Sequence, residues 1–149
     1  MDVRVQSDPI DVGAETARFS AGRTDVGAVV TFTGLCRDEG GRLTALHIEH
    51  YPGMAEDEIT RVADEARERF SVVDVTVVHR FGRIRPGETI VFVATASAHR
   101  GDAFAAAGFM MDYLKTRAPF WKKEEGADGA WVAASDRDEG AAARWSEEL

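Results

Sequence analysis

The sequence predicts an α+β fold in which helices pack against a mainly antiparallel sheet. Three observations predict it. Two segments carry helical apolar spacing, several stretches rich in β-branched residues read as strands, and their order, roughly β-β-α-β-β-α-β, alternates hairpin-like pairs with helices.

After a polar start, residues 26–35 (VGAVVTFTGL) read as a strand. Asp38-Glu39-Gly40-Gly41 signals a turn, and residues 43–51 (LTALHIEHY) follow as the apparent second arm of a hairpin, ended by Pro52-Gly53. Over residues 54–70, Ile59, Val62, Ala63, Ala66 and Phe70 fall on one helical face, with acidic side chains gathered in the first turn where they suit the helix dipole. Residues 72–81 alternate Val73, Val75, Val77 and His79 on one side of a strand. Pro86-Gly87 makes a turn, and residues 88–97 (ETIVFVATAS) are apolar enough for a central strand.

Residues 102–117 form a second helix, apolar on most sides, with Phe104, Ala107, Met111 and Leu114 in one stripe and Ala106, Phe109, Met110 and Tyr113 in another. Such a helix is expected inside the domain or in a dimer interface. Ala118-Pro119 stops it. Phe120 to Lys123 is expected to lead through a loop to a short strand near residues 130–134 and a final acidic helical segment carrying Trp145. With 149 residues and no repeat or linker, one domain over 1–149 is expected.

The formal charge of −8 argues against a general nucleic-acid or anionic-membrane binder, which needs a basic face. Much of the acidity lies in residues 124–149, which hold eight acidic and two basic side chains. The single cysteine, Cys36, excludes an intrachain disulfide framework and a cysteine-cluster metal site. No apolar leader and no run of about 18 apolar residues is present, so a soluble cytoplasmic protein is expected.

The chain has no G-x-G-x-x-G, Walker lysine loop, H-E-x-x-H or G-x-S-x-G. His47 and His50 fall on opposite faces of a strand, so no metal site is expected there. Ser97-Ala98-His99-Arg100 joins a central strand to a helix N-terminus, where free N–H groups, a histidine and an arginine suit an anion; simple capping of the junction is the alternative. Arg37, just beyond a strand end with Gly34 allowing close approach, suits a phosphate or carboxylate. Cys36 has no base beside it, and a small, partly buried residue is its simpler reading.

Lysine gives the sharpest signal. Among 18 basic residues only Lys115, Lys122 and Lys123 are lysine, within nine positions of one another. Lysine can lose its proton near apolar groups or other cations and so act as a base or amine nucleophile, which arginine cannot. Phe120, Trp121 and Arg117 supply both influences. Chance clustering, and pairing of Lys115 with the helix dipole, are the competing explanations.

Taken together, these segments resemble the large, catalytic subunit of molybdopterin synthase, the MoaE family. The matching stretches are Val29 to Gly34 with Arg37, Glu49 to Met54, His79 to Gly82, Ser97 to Arg100, and the long run from Met111 to Lys122. The resemblance covers roughly residues 24–145. It implies an α/β-hammerhead type of fold and a sulfurtransferase of molybdenum cofactor biosynthesis. In that reaction cyclic pyranopterin monophosphate receives two sulfurs as the dithiolene of molybdopterin. It also implies a small ubiquitin-like partner whose C-terminal Gly-Gly carries the sulfur as a thiocarboxylate, and a homodimer that becomes a heterotetramer with that partner. Neither metal nor cofactor is implied for the sulfur step.

Carried over residue by residue, Lys115 and Lys122 match the family's active-site lysines, Arg37 its substrate-pocket arginine, and His99 and Arg100 its anion-contacting pair. Lys123 and Glu124 extend the pocket segment. Leu35 and Cys36 stand where relatives commonly have a basic or polar residue, which leaves backbone contacts as their expected share in binding. The chain ends Ser-Glu-Glu-Leu without Gly-Gly, so the sulfur carrier is expected to be a separate subunit. Two other readings stay open on the residues alone: a non-catalytic anion-binding scaffold of the same fold, and an unrelated lysine-dependent acyl-transfer enzyme.

Overall fold

The computed structural model describes residues 1–126 and 131–133. Its strands form two four-stranded sheets. The first joins β1 (Asp2–Gln6), β4 (Asp74–Arg80), β6 (Thr89–Ser97) and β2 (Ala28–Leu35) in that order; β1 and β4 are parallel and the other pairs antiparallel. The second joins β5 (Gly82–Ile84), β3 (Leu43–His50), β7 (Phe120–Gly126) and β8 (Trp131–Ala133), all antiparallel. The mixed α+β class is therefore as expected.

Helices α2 (Met54–Phe70) and α3 (Arg100–Arg117) close over one face of the first sheet. Val75, Val77, Val91 and Val93 from that face meet Ile59, Val62 and Ala66 of α2, Phe109, Met110 and Leu114 of α3, and Ile48 and Ile84 of the second sheet. Val78, Phe92, Ala94 and Ala96 point the other way, onto Phe19 of α1 (Val12–Ser20). The strand period of two thus feeds two cores from one sheet. Thr95, buried among these apolar groups, donates its hydroxyl to the Ala103 carbonyl at 2.8 Å and ties β6 to the first turns of α3.

Helix α2 runs over the expected residues; Glu56 accepts from the Gly53 N–H at 2.7 Å at its start, and Ser71 ends it in the left-handed region. Other expectations need correction. Residues 26–35 and 43–51 do not form a hairpin: β2 and β3 belong to different sheets, because β6 takes β2 and β7 takes β3. The polar start contains β1 and α1, whose first turn is capped by the Asp11 carboxylate accepting from Ala14 N–H at 3.0 Å. Phe120 to Lys123 is not a passage into a loop but the start of β7. Charged residues persist in β7 because its alternate positions face outward. The short strand near residues 130–134 is β8. The acidic helical segment with Trp145 lies outside the described residues.

In α3 the second stripe is buried, with Ala106, Phe109, Met110 and Tyr113 all in the core, whereas Phe104 of the first stripe is 64% exposed. No helix among the described residues is long and apolar enough to cross a membrane.

Candidate active site

Pro119 holds Ala118 in extended backbone and ends α3; the Ala118 N–H still bonds the Leu114 carbonyl, and the Phe120 N–H turns back to the Ala118 carbonyl at 2.8 Å. This tight reversal sends the chain straight into β7, bringing Lys115 from the last turn of the helix beside Lys122 from the strand. Both line one small cavity with His79, Val91, Met111, Leu114, Ala118 and Phe120. Its volume is about 30 Å³, room for a water or two.

The floor of the cavity is aromatic. The His79 imidazole stacks on Phe120 with centroids 4.0 Å apart, and His50 lies 4.4 Å from Phe81 and 6.1 Å from Phe120. Nδ1 of His79 is 2.8 Å from the Arg80 carbonyl oxygen, so it carries the proton and leaves Nε2 as the lone-pair nitrogen. Burial, then the charges of Lys122, Lys115 and His50, pushes the pKa of His79 down to about 3, and the ring is neutral at physiological pH.

Along β7 the side chains alternate. Phe120, Lys122 and Glu124 are partly buried, whereas Trp121 and Lys123 face outward and are exposed. Lys123 therefore lies on the opposite face from Lys122. Glu124 shares the Lys122 face farther along, near Cys36.

Arg37 leaves β2 at the end of the sheet where Leu35 pairs with Thr89, the same end from which Val91 contributes to the cavity. Arg37 is exposed there, and Leu35 is 57% exposed. Cys36 is buried, as its simpler reading has it, and its backbone is held within the chain. Its side chain is 3% exposed and packed in the core, its N–H donates to the Glu88 carbonyl at 2.9 Å, and its carbonyl accepts from Gly87 at 2.7 Å. Burial first, then the charges of Glu88, Asp38 and Glu124, holds the thiol above its ordinary pKa. Cys36 anchors the Arg37 loop to the start of β6; it does not present its thiol to a ligand. Gly34 differs from expectation: its close approach is to Val91, whose Cγ1 lies 2.7 Å from where a Cβ would stand.

His99 and Arg100 are exposed at the N-terminus of α3. Fifteen residues of helix separate Arg100 from Lys115, about 22 Å at 1.5 Å per residue. The structure thus gathers Lys115, Lys122 and Arg37 at one end of the molecule and leaves the His99–Arg100 pair at the other. His47 and His50 do diverge, His47 to Glu125 at 2.9 Å and His50 to the rings of Phe81 and Phe120.

His79 is the site residue to which the sequence assigned no chemistry. The alternation that placed His79 beside Val75 and Val77 was the available signal, since it put a polar ring on an apolar face.

Comparison with known proteins decides the family: the MoaE protein family matches residues 5–117. The chain belongs to the MoaE family. Among similar proteins, the molybdopterin synthase catalytic subunit of Mesorhizobium japonicum is 61% identical, the match covering 96% of this chain and 92% of that protein. The one from Rhizobium meliloti is 59% identical over 97% and 95%. Among solved structures, the molybdopterin biosynthesis MoaE protein from Burkholderia ambifaria MC40-6 superposes with a TM-score of 0.83 at 48% identity, covering 97% of each chain. The MoaE match spans Arg37, His99, Arg100 and Lys115 and stops before β7, which carries Lys122.

Proposed function

We propose that this chain is the catalytic subunit of a molybdopterin synthase. It moves sulfur from the thiocarboxylated C-terminal Gly-Gly of a small ubiquitin-like subunit onto cyclic pyranopterin monophosphate, as one domain over residues 1–149 in the cytoplasm. The observation that carries the reading is the convergence of Lys115 and Lys122, from a helix end and a strand, on one narrow cavity in a MoaE chain.

The cavity is too small for a pterin. It suits the reacting end of a carrier tail, with the pterin lying across its mouth. In each transfer the thiocarboxylate sulfur bonds to the pterin side chain as a C–O bond there breaks and its oxygen takes a proton; water then cleaves the acyl–sulfur bond, freeing the pterin sulfur and leaving the tail as a carboxylate. Lys115 is the principal proton donor and oxyanion partner in this reading, and Lys122 assists or engages the tail. Arg37, at the same end, takes the phosphate. The exposed Leu35 frames the approach, Lys123 stands on the outer face of β7, and Glu124 lies beside Lys122 on the inward face.

The His99–Arg100 pair stands too far from Lys115 to touch the same pterin within one protomer. A homodimer resolves this if each pocket takes its second anion contact from the neighbouring protomer, and with a small subunit on each the assembly is a heterotetramer. The exposed Phe104 on α3 and Phe32 and Leu35 on the edge strand β2 are apolar groups such a contact would cover.

The experiment is reconstitution: purified chain, thiocarboxylated small subunit and pyranopterin monophosphate, with dithiolene product measured. Product forming only when all three are present is expected. No product, where a relative's synthase works in parallel, overturns the reading.

A further inference from the structure

We propose that Glu88 is a positioning residue for Arg37: its carboxylate closes the turn that clamps Cys36, and so sets where Arg37 starts toward the substrate phosphate. The inference rests on the reading in which Arg37 takes that phosphate.

The sequence makes the turn. Arg85-Pro86-Gly87-Glu88 has the order of a type II turn, proline second and glycine third, and Gly87 stands at φ 89°, which a side chain would strain. The Glu88 N–H donates to the Arg85 carbonyl at 3.0 Å, and the Arg85 N–H donates back to the Glu88 carboxylate at 2.6 Å. Each end of the turn thus holds the other, once through backbone and once through the Glu88 side chain. Arg80 holds the carboxylate from a second direction. It is 6% exposed, its Nε and Nη2 donate to the Ser7 carbonyl at 3.2 and 2.9 Å, and its Nη1 lies 3.9 Å from Glu88 Oε2. A buried guanidinium pinned in this way keeps its charge facing the carboxylate.

The closed turn aims two backbone groups at one residue. The Gly87 N–H donates to the Cys36 carbonyl at 2.7 Å, and the Glu88 carbonyl accepts from the Cys36 N–H at 2.9 Å. The β2–β6 register shifts between Gly34 and Leu35, so regular pairing is already interrupted where these two bonds take over. Arg37 follows at once, and beyond it the Asp38 carboxylate accepts from the Leu43 N–H at 3.0 Å. Arg37 therefore hangs between two anchored neighbours, one of them anchored by the turn. Without the Glu88 carboxylate the turn keeps one closing bond of two. Cys36 and Arg37 then gain freedom that binding a phosphate must remove.

The test has two arms, and the first needs no substrate. In the ¹⁵N-labelled chain, Glu88→Ala should speed hydrogen exchange of the Cys36 amide by roughly three- to tenfold, the effect of one lost hydrogen bond. The Arg37 amide should show added motion in ¹⁵N relaxation, while amides of β4 and α2 stay as in the wild type. Glu88→Gln keeps a side-chain oxygen for the Arg85 N–H and should restore most of both.

In the second arm, sulfur transfer by Glu88→Ala should show a KM for pyranopterin monophosphate raised roughly three- to tenfold, with kcat within about twofold of wild type. Glu88→Gln should recover most of the loss. In an Arg37→Ala background Glu88→Ala should raise KM no further, because the group it positions is gone. Unmoved Cys36 exchange and Arg37 relaxation overturn the proposal. So does an unchanged KM, a Gln variant no better than Ala, or a full additional loss in the Arg37→Ala background. If the wild-type chain transfers no sulfur, the functional reading falls, and the first arm alone decides whether Glu88 orders Arg37.

Discussion

The His79 imidazole lies face to face with the Phe120 ring, centroids 4.0 Å apart and planes 13° off parallel. One ring belongs to β4 of the first sheet and the other to β7 of the second. This stack is a joint between the two sheets, directly beneath the lysines.

That joint makes stability depend on pH. The folded pKa of His79, about 3, lies below its ordinary 6.5, so the unfolded chain binds the extra proton as pH falls. The contribution is fully present above about 6.5 and is lost progressively as pH drops toward 3, at up to about 1.4 kcal/mol per pH unit. Denaturant melts between pH 7 and 4.5 should show this slope, and His79→Phe should flatten it.

Removing the other ring should cost both packing and burial. Phe120→Ala is expected to lose about 2–3 kcal/mol, since the side chain is only partly buried, and to raise the His79 pKa toward its ordinary value. Urea unfolding and histidine NMR titration of the same variant check the two effects together.

Gly34→Ala tests a different contact. An added Cβ would stand 2.7 Å from Val91 Cγ1 and 3.3 Å from the Phe32 ring. Val91 is a core side chain that also walls the cavity, so the strain should cost about 1–3 kcal/mol and reduce sulfur transfer as well. Thermal unfolding and the reconstituted assay measure the two.

The separation of Arg100 from Lys115 gives a sharp test of the dimer. Lys115→Ala and Arg100→Ala homodimers should each be inactive or weak. A mixed dimer of the two should regain about half the activity per dimer, because one of its two shared sites then carries neither defect. Mixed dimers no more active than the parents would mean that the pair does not serve the neighbour's pocket.

Much of this was legible in the residues. The spacing of Ile59, Val62, Ala63 and Ala66 gave α2, and Ala118-Pro119 marked the end of α3. The lysine window led directly to the cavity, because Pro119 forces the reversal that brings Lys115 and Lys122 together. What was illegible depends on pairing between distant segments. Phe120 to Lys123 reads as a passage into a loop until β3 and β8 flank β7 and its alternate positions turn inward. Neighbouring β2 and β3 look like a hairpin because local sequence does not show that β6 and β7 are their better partners. Cys36 reads as a small buried residue and is one, but local sequence does not show that the Gly87–Glu88 turn binds both its backbone polar groups.

The central claim is that the chemistry is centred on Lys115 in the cavity between α3 and β7. Single-turnover sulfur transfer by Lys115→Ala, with saturating pyranopterin monophosphate and thiocarboxylated small subunit, tests it most directly. The account predicts a loss of at least about 100-fold in product formation, with unchanged circular dichroism and unchanged affinity for the small subunit. Product at a rate near that of the wild type would contradict it.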